Sequence, residues 1–391
     1  MSDAKNSSFL SQMGPLLFLV GIFFLNFLSR IILSPLMPTV EGDLKIGHDE
    51  AGALFLLISL GYCLGLLSSG FVSSRIQHKR TILLSSIAVG GVLMIVSISH
   101  NLWGIRFGLI LVGMAAGLYL PSGIATVTEL VRPEHWGKAI AIHELAPNLS
   151  FFLAPLLAEA LLGLSSWREV LMLTGIASMA AGGIFAIFGK GGAFPGETPN
   201  LRTLRTILGE RSFWIMIALF SLGIGASFGV YTMMPLYLVA EKGMGRPWAN
   251  TLVGLSRVST LGFSIVSGWV TDRIGPKKTL WGIFMTTGIA TILLGLVSGS
   301  WIILPVFAQP ILATAFFPPG FAAVSRIGSK KIKSVAVSLT MPVGFLVGGG
   351  VIAAGIGIMG KMGSFSLGIS LFGVLLFLGV LLVRYLKFSD G

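Results

Sequence analysis

Charge is the scarcest property of this chain. Only 11% of its 391 residues are charged, where a soluble domain carries about a quarter. Cysteine is nearly missing as well. Cys63 stands alone, so no disulfide closes within the chain and no cysteine metal site exists. The five histidines show no ligand spacing such as H-x-x-x-H. A Walker lysine motif is absent, and no G-x-G-x-x-G follows a strand, which argues against an ATP drive. No Ser/His/Asp or metal arrangement supports an enzyme, and no cofactor is expected. Met1 to Pro15 lacks a basic leader and a small-residue cleavage site, so the first apolar run is expected to stay as a helix.

What is present is hydrophobic length. Apolar residues make up 54% of the chain, in runs near 20 residues separated by short polar loops. Each run can cross a hydrocarbon core of roughly 30 Å. Only helices and closed barrels satisfy their backbone in lipid, and the short alternation of a barrel strand is missing. The spans expected are 14–38, 50–73, 81–98, 103–129, 138–163, 167–189, 212–239, 249–272, 278–297, 300–325, 334–360 and 364–386. The pattern predicts an all-α membrane protein with twelve transmembrane helices. Between the sixth and seventh lies a polar stretch with Gly191, Gly192, Pro195 and Pro199. It divides the chain into an N-terminal six-helix bundle, 1–189, a linker, 190–211, and a C-terminal six-helix bundle, 212–391.

The net charge of +12 lies in the loops, where it speaks for membrane topology rather than nucleic acid. One side holds Lys5, Arg75, Lys79, Arg80, Arg132, Lys138, Lys190, Arg202, Arg205, Arg211, Arg273, Lys277, Lys278, Arg326, Lys330, Lys331, Lys333, Arg384 and Lys387. The other holds only Lys45, Arg168, Lys242, Arg246 and Lys361. The first side is therefore expected to be cytoplasmic, with both termini inside and the chain in the inner membrane.

The halves repeat. Gly70-Phe-Val-Ser-Ser-Arg75-Ile-Gln-His-Lys79-Arg80 matches Gly268-Trp-Val-Thr-Asp272-Arg273-Ile-Gly-Pro-Lys277-Lys278. Pro38 answers Pro235, and Pro121-Ser-Gly123 answers Pro318-Pro-Gly320. Duplicated halves place a substrate site near the bilayer midplane.

The block Gly268-x-x-x-Asp272-Arg273-x-Gly275-x-Lys277-Lys278 resembles the cytoplasmic loop signature of the major facilitator superfamily. In that family it joins helices 2 and 3, and often 8 and 9. The resemblance covers the whole chain and implies a secondary transporter working by alternating access. It implies latch or gating roles for Gly70, Arg75, Gly268, Asp272 and Arg273. In the first copy Ser74 stands where the family usually has Asp, and Gln77 where it often has Gly. The Gly-rich helix-5 motif of drug–proton antiporters is absent. Arg30, eight residues before Pro38, is similar to the anion-binding arginine of organic-phosphate exchangers and anion–cation symporters. Arg257 resembles the substrate arginine of monocarboxylate and oxalate transporters. Ser227 stands where the phosphate exchangers carry a second arginine.

Arg30 and Arg257 carry the strongest chemistry. A charge in mid-membrane costs about 2.5–3.5 kcal/mol, so it is expected to face a wet cavity and meet a partner. By helix rise, Arg30 and Arg257 fall roughly 6 Å and roughly 5 Å from the middle of their spans. Two forks at one depth from opposite halves suit a carboxylate. The alternative is that either pairs with protein acids. His143 and Glu144 are adjacent in the fifth span, and either could carry a coupling proton; a structural hydrogen bond to a neighbouring helix is the alternative. Glu129 is a third such candidate. With Arg326, its repeat counterpart, it reads as a cytoplasmic gate or as a solvated loop edge. Asn26, Tyr119, Asn148 and Tyr231 can orient a ligand or serve as interhelical bonds, as can Tyr62 and Tyr237.

The expected function is secondary transport of small organic anions, above all carboxylates, by proton symport or anion exchange. The expected partners are the anion, protons and the lipid bilayer, and the chain is expected to be a monomer. Efflux of drugs or other small molecules such as sugars, and phosphate-ester exchange, are the alternatives.

Overall fold

The computed structural model describes residues 9–198, 207–327 and 338–388. Lys5, Arg202, Arg205, Lys330, Lys331 and Lys333, part of the expected linker (199–206) and the start of the eleventh span (334–337) lie outside the described residues. Among the described residues every regular element is a helix. Numbered by the span each occupies, they are α1 (Phe9–Leu44), α2 (His48–Ile76), α3 (His78–Ile98), α4 (Leu102–Leu130), α5 (Pro133–Leu162) and α6 (Trp167–Phe188). Then come α7 (Arg211–Ala240), α9 (Pro276–Leu296), α10 (Gly299–Val324), α11 (Ser338–Lys361) and α12 (Phe365–Arg384). Among the described residues these eleven are long and apolar enough to cross a membrane. The eighth expected span differs. Its segment, α8, comes in two pieces, Arg246–Leu255 and Thr260–Ile274.

Proline explains most of the breaks. Its ring clashes with the carbonyl four residues back, and it offers that carbonyl no N–H. Turns at Ile32, Leu118 and Glu144 each fall three residues before Pro35, Pro121 and Pro147, and the turn at Ala315–Phe316 precedes Pro318. The break in α8 has no proline behind it. There the hydroxyls compete with the ladder. Ser256 Oγ donates to the Val253 carbonyl at 2.8 Å, and Thr260 Oγ1 to the Arg257 carbonyl at 2.7 Å. Two π turns, Gly225–Gly229 in α7 and Phe345–Val351 in α11, add further irregularity. In contrast, α3, α6, α9 and α12 run without interruption.

Packing divides the chain into two compact units. One joins the chain up to Leu33 with the stretch from Leu60 to the linker, and the other joins Ser34–Ser59 with the helices after the linker. In the first, α3 meets α6 through Gly90, where a Cβ would lie 2.5 Å from the Gly175 carbonyl. In the second, α9 meets α12 through Gly288, where a Cβ would lie 3.1 Å from the Gly373 carbonyl. These glycines correspond at the same shift that relates Gly70 to Gly268, so the duplication extends to the helix crossings. Small residues supply such close approach where lipid removes the hydrophobic drive between helices.

The second unit explains why Ser34–Ser59 belongs to it. Ser34 Oγ shares its one hydrogen between the Thr232 carbonyl at 2.9 Å and the Tyr231 carbonyl at 3.2 Å. The Tyr231 carbonyl is the one Pro235 leaves without a helical donor. The Asn250 amide donates to the Pro35 carbonyl at 3.1 Å, Arg246 to Thr39 Oγ1 at 3.1 Å, and Lys361 pairs with Asp49 at 2.7 Å.

Candidate functional site

Arg30 lies in α1 just before the turn made by Pro35, and it is 2% exposed. Its guanidinium carbon sits 3.8 Å from the Tyr62 ring centroid and 4.5 Å from that of Phe27. Aromatic faces attract a desolvated cation by about 2 kcal/mol, which offsets part of the cost of burying it. Tyr62 belongs to α2 and is itself 2% exposed.

Arg257 lies in the turn between the two pieces of α8 and is 3% exposed. It donates to the Ser227 carbonyl at 3.0 Å, and its guanidinium carbon sits 4.7 Å from the Tyr231 ring centroid. The π turn of α7 prepares this contact. In such a turn the amide reaches one residue further back, here Val230 N–H to the Gly225 carbonyl. Carbonyls inside the turn are then open to outside donors. The Ala226 carbonyl accepts from Gln309 of α10 at 2.9 Å, and the Ser227 carbonyl accepts from Arg257. So the phosphate exchangers' second arginine position is a backbone acceptor for Arg257.

A third cluster surrounds His143. The imidazole is completely buried and stacks on Phe23 at 4.5 Å and 10°. Its Nε2 lies 3.1 Å from the Tyr119 hydroxyl, and its Nδ1 lies 3.3 Å from Glu144 Oε1. The Tyr119 hydroxyl also donates to the Leu19 carbonyl of α1 at 2.8 Å. Gly123 makes room for the Tyr119 ring, since a Cβ there would fall 2.8 Å from it. Gly320 does the same for Phe316 at 3.0 Å, which gives the repeated Pro-x-Gly pattern a packing reason. His143 thus joins Tyr119 of α4 to Glu144 on its own segment, while Tyr62 is the ring against Arg30.

The remaining residues are more dispersed. Asn26 bridges helices, donating to Ser85 Oγ and to the Ala116 carbonyl, each at 3.2 Å. Asn148 donates to the carbonyl of Glu144 one turn back on its own helix, at 3.2 Å. Glu129 is exposed at the end of α4 and accepts the Gly192 N–H. That bond belongs to a clamp at the start of the linker. The Lys79 amide donates to the Gly192 carbonyl at 2.7 Å, the His78 amide to Phe194 at 3.1 Å, and the Gly196 amide to Ser73 at 3.0 Å. Within this clamp Gln77 adopts φ 73° and ψ 160°, close to φ 84° and ψ 155° at its repeat partner Gly275. Gly70 is half-buried and Arg75 exposed. Asp272 is exposed, and Arg273 stacks on Trp269 at 4.0 Å. A Cβ on Gly268 would meet Pro318 at an ordinary 3.9 Å. Arg326 is exposed, with its guanidinium 5.9 Å from the Phe388 ring. Among the described residues no cluster of three or more His, Cys, Asp or Glu could hold a metal.

Sequence reasoning missed three participants: Phe27, Gln309 and the Ser227 carbonyl. The signals available were Gly225-x-x-x-Gly229, and the run Ser256-Arg257-Val258-Ser259-Thr260 in an otherwise apolar span.

The chain matches the model of the Major Facilitator Superfamily over residues 19–353. The 3-(3-hydroxy-phenyl)propionate transporter of Escherichia coli (strain K12) is 23% identical over 342 residues, 84% of each chain. The gallate transporter of Pseudomonas putida is 21% identical over 371 residues, 82% of this chain and 81% of the relative. A bacterial homolog of the human lysosomal transporter Spinster, solved inward-facing and unoccupied, shares the fold with a TM-score of 0.82. That comparison has 14% identity and covers 96% of both chains. This chain belongs to the Major Facilitator Superfamily, a family of membrane transporters and not of enzymes.

Proposed function

We propose that the chain is a secondary active transporter of small organic anions, carboxylates with an aromatic ring in particular. It works by rocker-switch alternating access between its halves, with twelve spans, both termini in the cytoplasm and a monomer as the working form. Arg30 and Arg257 bind the carboxylate, each as a fork able to donate two parallel hydrogen bonds. The observation that carries this reading is the burial of Arg30 against Tyr62 and Phe27. Those rings hold the cation in place and offer an apolar face for the body of an aromatic acid. Arg257 has the same kind of company in Tyr231. The names of the two curated relatives point to aromatic acids as well. Proton symport is the energetics favoured, because a proton offsets the anion's charge against an inside-negative potential of about 2.3 kcal/mol per charge at 100 mV. Glu144 and His143 are the groups that take it.

The test is thermal stability of purified protein against mono- and dicarboxylates, aromatic acids, phosphate esters, neutral sugars and lipophilic cations. A ligand at about 100 times its Kd adds about 2.7 kcal/mol. A shift by aromatic acids that disappears in Arg30→Ala or Arg257→Ala supports the reading. A shift by sugars or lipophilic cations alone replaces it.

A further inference from the structure

We propose that His143 is the group that binds the coupling proton and that the Tyr119 hydroxyl passes its state to α1. This deepens the proton-coupled reading above and rests on it. A tyrosine hydroxyl has one hydrogen to give, and a carbonyl can only accept. That hydrogen has two acceptors in reach, the Leu19 carbonyl at 2.8 Å and His143 Nε2 at 3.1 Å. When it goes to Leu19, His143 Nε2 carries a hydrogen of its own and donates it to the hydroxyl. Nδ1 faces a carboxylate oxygen of Glu144 at 3.3 Å, and an ionised carboxylate can only accept. Nδ1 therefore carries a hydrogen as well. With both nitrogens protonated the ring is a cation facing its counter-ion.

Removing one proton leaves one arrangement without a clash. If Nδ1 were bared, its lone pair would face the carboxylate. The proton that leaves is therefore the one on Nε2. The bare Nε2 accepts from Tyr119, whose hydroxyl turns away from Leu19. The Leu19 carbonyl keeps its place in the helical ladder and loses only its second donor. The two states thus differ in whether Tyr119 holds α1. With the proton bound, α4 is tied to both α1 and α5. With the proton gone, α4 keeps only its tie to α5.

The surroundings are accounted for element by element. From α1, Phe23 covers the ring face and does not titrate. From α4 comes Tyr119, and from α5 itself comes Glu144. Tyr62 of α2 and Arg30 of α1, in contact with each other, are the further titratable or charged groups of this unit's buried interior. Glu144 is the more open of the pair, its side chain 45% exposed while that of His143 is 1% exposed.

Two measurements test this. In the first, full-length protein with ¹⁵N-labelled histidine is placed in nanodiscs without substrate, and ring nitrogens are followed by NMR between about pH 5 and 8. The His143 signal is assigned by its loss in His143→Gln, or by eliminating the other four histidines singly. Both nitrogens are expected to be protonated at the acid end, with Nε2 losing its hydrogen as pH rises. A ring with one protonated nitrogen throughout overturns the proposal. In the second, gallate is the probe in liposomes. His143→Gln is expected to keep gallate counterflow and lose accumulation driven by a proton gradient. Tyr119→Phe is expected to lose the pH dependence of gallate accumulation. Proton-driven accumulation by His143→Gln overturns the proposal. If the wild-type protein moves no gallate at all, the carboxylate reading fails, and the NMR result still decides the proton site.

Discussion

Replacing Arg30 by lysine separates charge from shape. The substitution keeps a cation at the same point of α1 and removes the planar fork. In the structure that plane is held against Tyr62 at 3.8 Å and Phe27 at 4.5 Å. An arginine so held can give a carboxylate two parallel hydrogen bonds, whereas an ammonium centres one on it. A hydrogen bond to a charged group is worth about 1.5–3 kcal/mol. Arg30→Lys should therefore weaken binding of an aromatic carboxylate by about 10- to 150-fold. Arg30→Gln should weaken it further, since the charge goes too. The assay is equilibrium binding of labelled gallate to protein in nanodiscs, with folding of each variant checked by thermal melting. Undiminished affinity in Arg30→Lys would refute the bidentate argument, and undiminished affinity in Arg30→Gln would remove Arg30 from the site.

Other expectations follow from the backbone. Gln77 occupies a conformation that only glycine adopts without strain, at a cost of about 1–3 kcal/mol. After glycine's own entropy cost of roughly 0.5–1 kcal/mol, Gln77→Gly should still stabilise the protein, read as a raised melting temperature. Gly348→Leu should destabilise by about 1–3 kcal/mol or block folding, because a Cβ there would fall 2.4 Å from the Ser221 carbonyl. A melt of the variant indistinguishable from wild type would show that α7 and α11 are not so close. Glu129→Gln keeps an acceptor for the Gly192 amide and should leave transport near wild type. Glu129→Ala should speed proteolysis in the linker. Equal cleavage rates in the two variants would remove Glu129 from the clamp.

Much of the architecture is legible along the chain because lipid leaves few solutions. Apolar length sets the spans, and three of the helix turns can be placed by counting back from Pro35, Pro121 and Pro147. The break in α8 could not be placed that way. It depends on Ser256 and Thr260 choosing their own backbone over the ladder, a choice equally open to hydroxyls that leave a helix intact. The π turns lie where α7 and α11 approach through Gly229 and Gly348, and Gly225-x-x-x-Gly229 marks only the first of them along the chain. Arg30 and Arg257 announce themselves as charges in apolar runs. Their aromatic neighbours do not, because Tyr62 and Tyr231 look like many other buried rings until the helices are assembled. The grouping of Ser34–Ser59 with the C-terminal helices was hidden for a related reason. The duplication of the halves marks the linker as the boundary, while the side-chain bonds of Ser34, Thr39 and Asp49 run to partners far along the chain.

The solitary thiol makes this protein its own reporter. Cys63 is buried one residue from the Tyr62 ring that lies on Arg30. No other sulfhydryl competes for a maleimide. The rate at which the unmodified chain takes up such a reagent thus measures how often this part of α2 is uncovered. Cargo, pH and membrane composition can be compared by that rate alone, without first constructing a cysteine-free background.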